Sequence, residues 1–210
     1  WQALKYALTD KGLLGLPAAP IRAYVRTREG LEAPDAAISW IPFLANENFQ
    51  LHKDSGITAI THVLRSDSTG SIHVASNDPG KPPAIRFNFL SAQSDRDILL
   101  ESMRITRRIM NAGPMKDVAR DEMAPGVDVM SDEDLLEWVK HNAETTYHPV
   151  GTCKMGNDPM AVVDDQLKVH GIEALRVADA SIMPTLTSGN TNAPSIMIGE
   201  KASRMVLAAA

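Results

Sequence analysis

Three short blocks near the C-terminus are the most informative part of the chain: His148-Pro-Val-Gly-Thr-Cys-Lys-Met-Gly156, Val177-Ala-Asp-Ala-Ser-Ile-Met-Pro184 and Ser188-Gly-Asn-Thr-Asn-Ala-Pro194. The first block offers an imidazole, the common side chain that exchanges protons near neutral pH. The second places an acid at the end of an apolar run. The third places amides just before a predicted helix that has Pro near its start. Together they indicate proton removal beside a bound anionic group.

Between residues 21 and 89, the chain contains apolar runs typical of strands. These runs and the turn-forming spacers between them predict five strands, at residues 21–27, 36–41, 58–65, 71–76 and 84–89. The pattern is weaker for the last strand. The spacer Ser66-Asp-Ser-Thr-Gly70 predicts a hairpin loop between the third and fourth strands. Because no helix separates these strands, we expect an antiparallel or mixed sheet.

Helical periodicity is found at both ends of this strand region and again at the C-terminus. Apolar side chains recur at helical spacing over 95–110, and Ser131-x-x-Asp134 is typical of the start of another helix. Both helices are expected to cover the sheet. Residues 1–9 also predict a helix, as do residues 194–207, and residues 175–177 predict a short buried strand that leads to Asp179. The fold class expected is therefore α+β.

The composition excludes several classes of protein. A net charge of −5 with interspersed signs argues against nucleic-acid binding, which needs a basic face. No apolar run approaches the roughly 18 residues that a membrane-spanning helix requires.

Cys153 is the single cysteine, so an internal disulfide is impossible and a reducing, cytoplasmic compartment is favoured. A small buried thiol is the expected role of Cys153, rather than a nucleophile paired with His148.

His148 is the candidate catalytic residue. Pro149 restricts the backbone after it, and Gly151 and Gly156 permit tight turns, so the loop is suited to hold a reactive group. The alternative is an ordinary imidazole whose hydrogen bonds are satisfied by the fold. The spacing of the other histidines matches no metal-site pattern, so no metal is expected.

The acid and the amides each have two interpretations. Asp179 stands where an apolar strand ends, so it could accept hydrogen bonds from a ligand's hydroxyl groups, or it could cap a turn. Asn190 and Asn192 precede a helix whose free N–H groups favour negative charge, but Asn is also a common helix cap.

The three blocks, in this order, resemble the C-terminal part of the glucose–methanol–choline (GMC) oxidoreductases, which use FAD to oxidise alcohols. The likeness extends over nearly the whole chain. Further matching segments are 76–79, 87–89 and 95–110. His141-Asn-Ala-Glu-Thr145 and Ile196-Met-Ile-Gly-Glu-Lys201 are most similar to the choline-dehydrogenase branch.

The resemblance implies a role for each candidate residue. It implies that His148 is the catalytic base, which abstracts the hydroxyl proton while hydride passes from the alcohol carbon to flavin N5. Asn192 would be the second active-site residue and would hold the alkoxide oxygen. The cofactor-binding residues implied for FAD are Asp179, Ala180, Asn190, Thr191 and Ala193. An alcohol substrate would lie near Tyr147, Trp40 and Ile38, although a core role for Trp40 and Ile38 is an equal alternative.

The resemblance also implies a domain organisation. Residues 1–156 would form the substrate-binding domain, and residues 157–210 would be the C-terminal strand and helix piece of an α/β FAD-binding domain. The glycine-rich dinucleotide motif that such a domain requires does not occur in this sequence. We therefore expect the N-terminal FAD-binding half of the enzyme to be the partner of this chain, which alone would be inactive. The alternative is a truncated homologue that acts as a binding module.

Overall fold

The structure is a computed structural model, and it describes residues 1–17, 19–44, 52–119 and 121–209. The described residues form two compact units. The first comprises residues 1–63 and 94–143, and the second comprises residues 64–93 and 144–210. Small antiparallel sheets and helices occur together, which confirms the α+β class. None of the described helices is long and apolar enough to cross a membrane.

The first unit contains a three-stranded antiparallel sheet of β1 (Ile21–Val25), β2 (Ala36–Ile41) and β3 (Thr58–Val63). The strand β2 is central and every one of its residues is buried, because it is paired on both edges and covered on both faces. The three strands predicted in this region are confirmed, with β1 and β3 ending two residues earlier than expected.

Among the residues that the structure describes, the first unit also contains the helices α1 (Gln2–Thr9), α2 (Gln93–Met110, whose first residue is assigned to the second unit), α3 (Gly113–Lys116) and α4 (Asp132–Asn142). The helix α2 contacts the sheet, since the hydroxyl of Thr61 donates to Ser102 Oγ at 2.5 Å. The predicted cap of α4 is present, because Ser131 Oγ accepts from the backbone N–H of Asp134 at 3.1 Å.

The second unit begins with a separate two-stranded ribbon of β4 (Ser71–His73) and β5 (Ala84–Arg86). The predicted hairpin between the third and fourth strands is therefore wrong, because β4 pairs with β5 and not with β3. The spacer is bonded to the chain that follows β5. Ser68 Oγ accepts from the backbone N–H of Ala92, and the Asn88 side chain donates to the carbonyl of Thr69, both at 3.0 Å.

The core of the second unit lies between the last helix, α5 (Asn192–Leu207), and the chain from residue 150 onwards. Its buried members are Val163, Leu167, Ile182, Met183, Ile198 and Ala202. The strand predicted over 175–177 is reduced to a single bridge between Lys168 and Arg176, and Leu175 is 47% exposed rather than buried. The adjoining turn at Ala174, with φ 58°, leaves too little extended chain for a regular ladder.

The expected division into a substrate-binding domain (residues 1–156) and a piece of an FAD-binding domain (residues 157–210) remains a prediction. Packing alone groups residues 144–156 with residues 157–210 in the second unit. All six buried members of the core lie within 157–210, so this segment has more of its own core than its length suggested. It nevertheless leaves apolar side chains of α5 exposed, namely those of Ile196, Met197, Val206 and Leu207.

Candidate active site

The loop that carries His148 is held by backbone hydrogen bonds within the second unit. The N–H of Cys153 donates to the carbonyl of Ser181 at 3.0 Å, and the N–H of Met155 donates to the carbonyl of Ile182 at 2.8 Å. These bonds fasten residues 153–155 to the short 3₁₀ helix Ala180–Ile182. Because Ile182 and Met183 are buried, the loop is attached to the core and not to a mobile surface turn.

The backbone around His148 adopts unusual conformations at two positions. Gly151 has φ 86°, a conformation that glycine adopts at little cost. Tyr147 has φ 58°, which is uncommon for a bulky side chain and costs of order 1 kcal/mol or more. The Tyr147 side chain is 77% exposed, so burial of its ring does not explain this conformation. Strained residues of this kind cluster at functional sites.

His148 is half-buried and has a hydrogen-bond partner at each ring nitrogen. Its Nδ1 lies 3.0 Å from Thr191 Oγ1, and its Nε2 lies 2.7 Å from Asn190 Nδ2. Both partners come from the segment that immediately precedes α5. The structure thus brings together His148, Asn190 and Thr191, and it fixes both the position and the rotation of the imidazole ring.

Asn192 is the first residue of α5, and it is exposed. Of the two asparagines that the sequence singled out, the one whose side chain contacts His148 is Asn190. The role of second active-site residue that was expected for Asn192 stays a prediction. The sequence offers three consecutive polar residues, 190–192, and it contains no signal that selects which of them faces the imidazole.

The start of α5 supplies a set of donors suited to an anionic or electron-rich ligand. The helix runs for 16 residues, and its first regular contact is the bond from Ser195 N–H to the Thr191 carbonyl. The N–H groups of Asn192 and Ala193 lie before that point, where a helix has no internal acceptor for them. A helix N-terminus also carries about half a positive charge. The backbone at Asn192 and Ala193 is therefore suited to an electron-rich group, and the expected contact of these residues with a flavin remains a prediction.

Asp179 forms the cap of the 3₁₀ helix Ala180–Ile182. Its Oδ1 accepts from the backbone N–H of Ser181 at 2.8 Å and from the Ser181 hydroxyl at 2.5 Å. The capping interpretation of Asp179 is therefore realised in the structure. Asp179 is also exposed, so a ligand can reach its carboxylate. Cofactor binding by Asp179 and Ala180 remains a prediction.

The residues expected near the substrate differ in their surroundings. Ile38 lies opposite Thr61 in the sheet, so Ile38 and Trp40 share the face from which Thr61 reaches α2. Ile38 is fully buried, and the buried Trp40 Nε1 has no hydrogen-bond partner among the described residues. Both side chains thus have the burial of core residues. Their expected place beside a substrate, like that of the exposed Tyr147, stays a prediction.

A lysine–aspartate pair stabilises the end of the His148 loop. The Lys154 ammonium donates to both carboxylate oxygens of Asp158, at 2.9 and 3.0 Å. This hydrogen bonding, together with the N–H of Met160, lowers the pKa of Asp158 below its ordinary value.

Across the described ranges, no group of three or more His, Cys, Asp or Glu side chains is arranged to bind a metal ion.

Comparisons with known proteins agree on one family. The family model described as GMC oxidoreductase matches residues 66–199. The oxygen-dependent choline dehydrogenase of Cronobacter sakazakii is 44% identical over 187 residues, which cover 85% of this chain and 32% of that protein. The enzyme of the same name from Pseudomonas aeruginosa is 44% identical over 198 residues, which cover 94% of this chain and 35% of that protein. The chain thus spans about a third of the length of these relatives.

Solved structures show the same relationship. Pyridoxine 4-oxidase from Mesorbium loti aligns with a TM-score of 0.81 at 27% identity, over 89% of this chain and 37% of that one. A fungal aryl-alcohol oxidase aligns with a TM-score of 0.71 at 30% identity, over 85% of this chain and 28% of that one. In each case the similarity is confined to a minor part of the longer protein.

Proposed function

Because the chain belongs to the GMC oxidoreductase family, we propose that it supplies the proton-accepting part of an FAD-dependent enzyme that oxidises alcohols. The observation that carries this proposal is the setting of His148. Its ring is held by Thr191 and Asn190 directly beside the N-terminus of α5. A base fixed next to a cluster of backbone donors is the arrangement that alcohol oxidation needs.

His148 is proposed to accept the hydroxyl proton of the alcohol at Nε2. In the structure the Asn190 amide lies on this nitrogen at 2.7 Å, so a hydroxyl group can replace the amide as the donor to Nε2. A positioned proton acceptor contributes about 10²–10⁴ in rate. Loss of the proton places negative charge on the alcohol oxygen, and a nearby amide N–H then stabilises that charge.

The chemistry of the donor set supports FAD as the cofactor. The N–H groups of Asn192 and Ala193 and the dipole of α5 would favour electron density on a flavin ring. The exposed carboxylate of Asp179 would accept from hydroxyl groups of the cofactor. Ala180, Asn190 and Thr191 are proposed as further cofactor contacts. When bound, the flavin accepts the hydride from the alcohol carbon.

Two asparagines, Asn190 and Asn192, are candidates for the residue that holds the substrate oxygen. The resemblance of the sequence implied Asn192, whereas the 2.7 Å contact with Nε2 supports Asn190. A group that already lies at Nε2 is within reach of the oxygen whose proton Nε2 accepts. We therefore assign the oxygen contact to Asn190 and the flavin contact to the backbone of Asn192.

The relatives support a small alcohol as the substrate. Two of them are named choline dehydrogenases, so choline or a similar amino alcohol is the first candidate. A quaternary ammonium is attracted by aromatic rings, and the exposed ring of Tyr147 precedes His148 directly. Tyr147 is thus a candidate contact for the cationic end of the substrate.

The exposed apolar side chains of α5 support a partner for this unit. Ile196 and Leu207 are 66% and 77% exposed, although they belong to a helix whose opposite side is buried in the core. Ile196 with Met197, and Val206 with Leu207, form two exposed apolar pairs at opposite ends of the helix, and exposed apolar groups can mark surfaces that contact another part of a protein. We propose that the FAD-binding half of the same enzyme covers them.

The proposal is tested by replacing His148 with Ala in the complete enzyme. Flavin reduction by the best alcohol, followed anaerobically by stopped-flow absorbance, should slow by about 10²–10⁴ while FAD stays bound. His141→Ala is the matched control, because His141 is exposed on α4 and contacts Glu137. A decrease smaller than about threefold in His148→Ala would remove His148 from the mechanism.

A further inference from the structure

Thr191 is placed at the start of α5 in a way that ordinary helix capping does not explain. Threonine at this position usually accepts a hydrogen bond from a backbone N–H of the first turn. Here the Thr191 side chain makes no such bond. Its hydroxyl lies instead 3.0 Å from His148 Nδ1, and the residue is only 8% exposed. The helix thus forgoes a capping bond, and the hydroxyl contacts the imidazole.

The contact at the other ring nitrogen determines where the proton of a neutral His148 resides. The Asn190 amide nitrogen, 2.7 Å from Nε2, can donate a hydrogen bond but cannot accept one. With the amide oriented in this way, Nε2 is the acceptor, and its lone pair points at Asn190. A neutral imidazole carries a single N–H, so the proton is on Nδ1 and is donated to Thr191 Oγ1.

The opposite tautomer fails at the Asn190 contact, whereas the Thr191 hydroxyl could donate to Nδ1 in that tautomer. If the proton were on Nε2, that N–H would face the N–H of Asn190, and two donors would oppose each other at 2.7 Å. Only the tautomer with hydrogen on Nδ1 satisfies both partners. It is also the tautomer whose Nε2 lone pair can accept a proton from a substrate.

We propose that Thr191 is a positioning residue that holds His148 in the tautomer and rotation required for proton acceptance at Nε2. This inference rests on the proposed function, in which His148 is the base. Thr191 itself touches no reacting atom. Its hydroxyl accepts the Nδ1 proton, and the burial of Thr191 beside the start of α5 keeps that acceptor in place.

The matched variants are Thr191→Val and Thr191→Ser in the complete polypeptide that carries this chain. Valine keeps the branched shape and removes the acceptor, whereas serine keeps the hydroxyl. The first measurement is the ¹⁵N NMR spectrum of the histidine rings, with His148→Gln used to assign the signals. We expect wild type and Thr191→Ser to show hydrogen on Nδ1 of His148. Thr191→Val should show a mixture of tautomers, because an Nδ1 N–H then lacks its acceptor and the Asn190 amide can turn its oxygen to accept from an N–H at Nε2.

The second measurement is the rate of flavin reduction. Thr191→Val should lower kcat about 2- to 13-fold, the change that corresponds to one neutral hydrogen bond, with KM unchanged and with recovery in Thr191→Ser. A wild-type ring with hydrogen on Nε2, or a Thr191→Val protein with wild-type tautomer and rate, would overturn the inference. The expected NMR result in a protein that oxidises no alcohol would support the inference and refute only the proposed function.

Discussion

Replacement of Asn190 by Ala tests which asparagine acts beside His148. The substitution removes the amide that lies 2.7 Å from His148 Nε2 and leaves the backbone before α5 unchanged. Asn192→Ala is the matched control, because it removes the same group two residues further on, from an exposed position at the first residue of the helix.

The expected size of the effect follows from the contact. In the proposed reaction the Asn190 amide donates to an oxygen that becomes negatively charged, and hydrogen bonds to charged groups are worth about 1.5–3 kcal/mol. This range corresponds to about a 10- to 150-fold decrease in rate. Asn192→Ala should change the rate less than about threefold, since its backbone N–H, the group proposed to contact the flavin, is retained.

The assay is anaerobic flavin reduction at saturating alcohol, with flavin content and thermal unfolding measured for each variant. Intact flavin content with slow reduction in Asn190→Ala alone would support the assignment. The reverse ranking, in which Asn192→Ala is slow and Asn190→Ala reacts at the wild-type rate, would contradict the assignment of Asn190. Asn192 would then be the residue that holds the substrate oxygen.

Two further predictions concern carboxylates. Asp179→Ala should weaken FAD retention more than it slows flavin reduction, because a charge-assisted hydrogen bond is worth about 1.5–3 kcal/mol, and full flavin occupancy after dialysis would leave Asp179 as a cap only. Asp164 accepts from the backbone N–H groups of Lys168 and Gln166, at 2.8 and 2.9 Å. The bond from Lys168 is the largest cause of its lowered pKa. A lowered pKa in the folded state means stability that is present above the unfolded value, about 3.9, and is lost as the pH falls through the folded value. Asp164→Ala should therefore lower the Tm at about pH 7 and have a smaller effect at about pH 3, and an equal effect at both pH values would contradict this explanation.

The elements that the sequence predicted well are those in which the pattern of apolar residues agrees with their burial in the structure. The strand β2 is an apolar run enclosed by turn signals, and it is buried throughout. The helix α2 has charges between apolar positions and extends from Gln93 to Met110, and its apolar residues Ile98 and Leu100 are buried. In both cases the local preference of the chain and its packing favour the same structure, so a pattern of a few residues is sufficient.

The failed hairpin shows where a local pattern is insufficient. Residues 66–70 have the composition of a tight turn, yet the partner of β4 is β5. The choice depends on distant contacts, such as those of Ser68 with Ala92 and of Asn88 with Thr69. A Cβ at Gly70 would also collide with the carbonyl oxygen of Arg86, which shows how closely the spacer approaches β5. Turn composition indicates that the chain bends, but not which strand it then joins.

The candidate site was predictable in its main residue and not in its partners. The Pro and Gly residues around His148 indicated a rigid loop, and the structure fastens that loop to residues 181 and 182. The contacts of Asn190 and Thr191 depend on how the chain enters α5. Successive residues there point in very different directions, about 100° apart once the helix has begun. A sequence pattern cannot resolve that rotation.

The position of His148 also explains why relatives named for different substrates share this segment. The proposed base His148, its two partners and the donors at the start of α5 lie within one compact unit, whose core includes Ile182 and Ile198. Proton acceptance and the favouring of negative charge are needed for any alcohol, whether the enzyme is named for choline, pyridoxine or aryl alcohols. We infer that substrate choice can change through residues other than these three while the geometry of His148, Asn190 and Thr191 is retained. A rigid proton-accepting unit of this kind lets the pocket vary without loss of the chemistry.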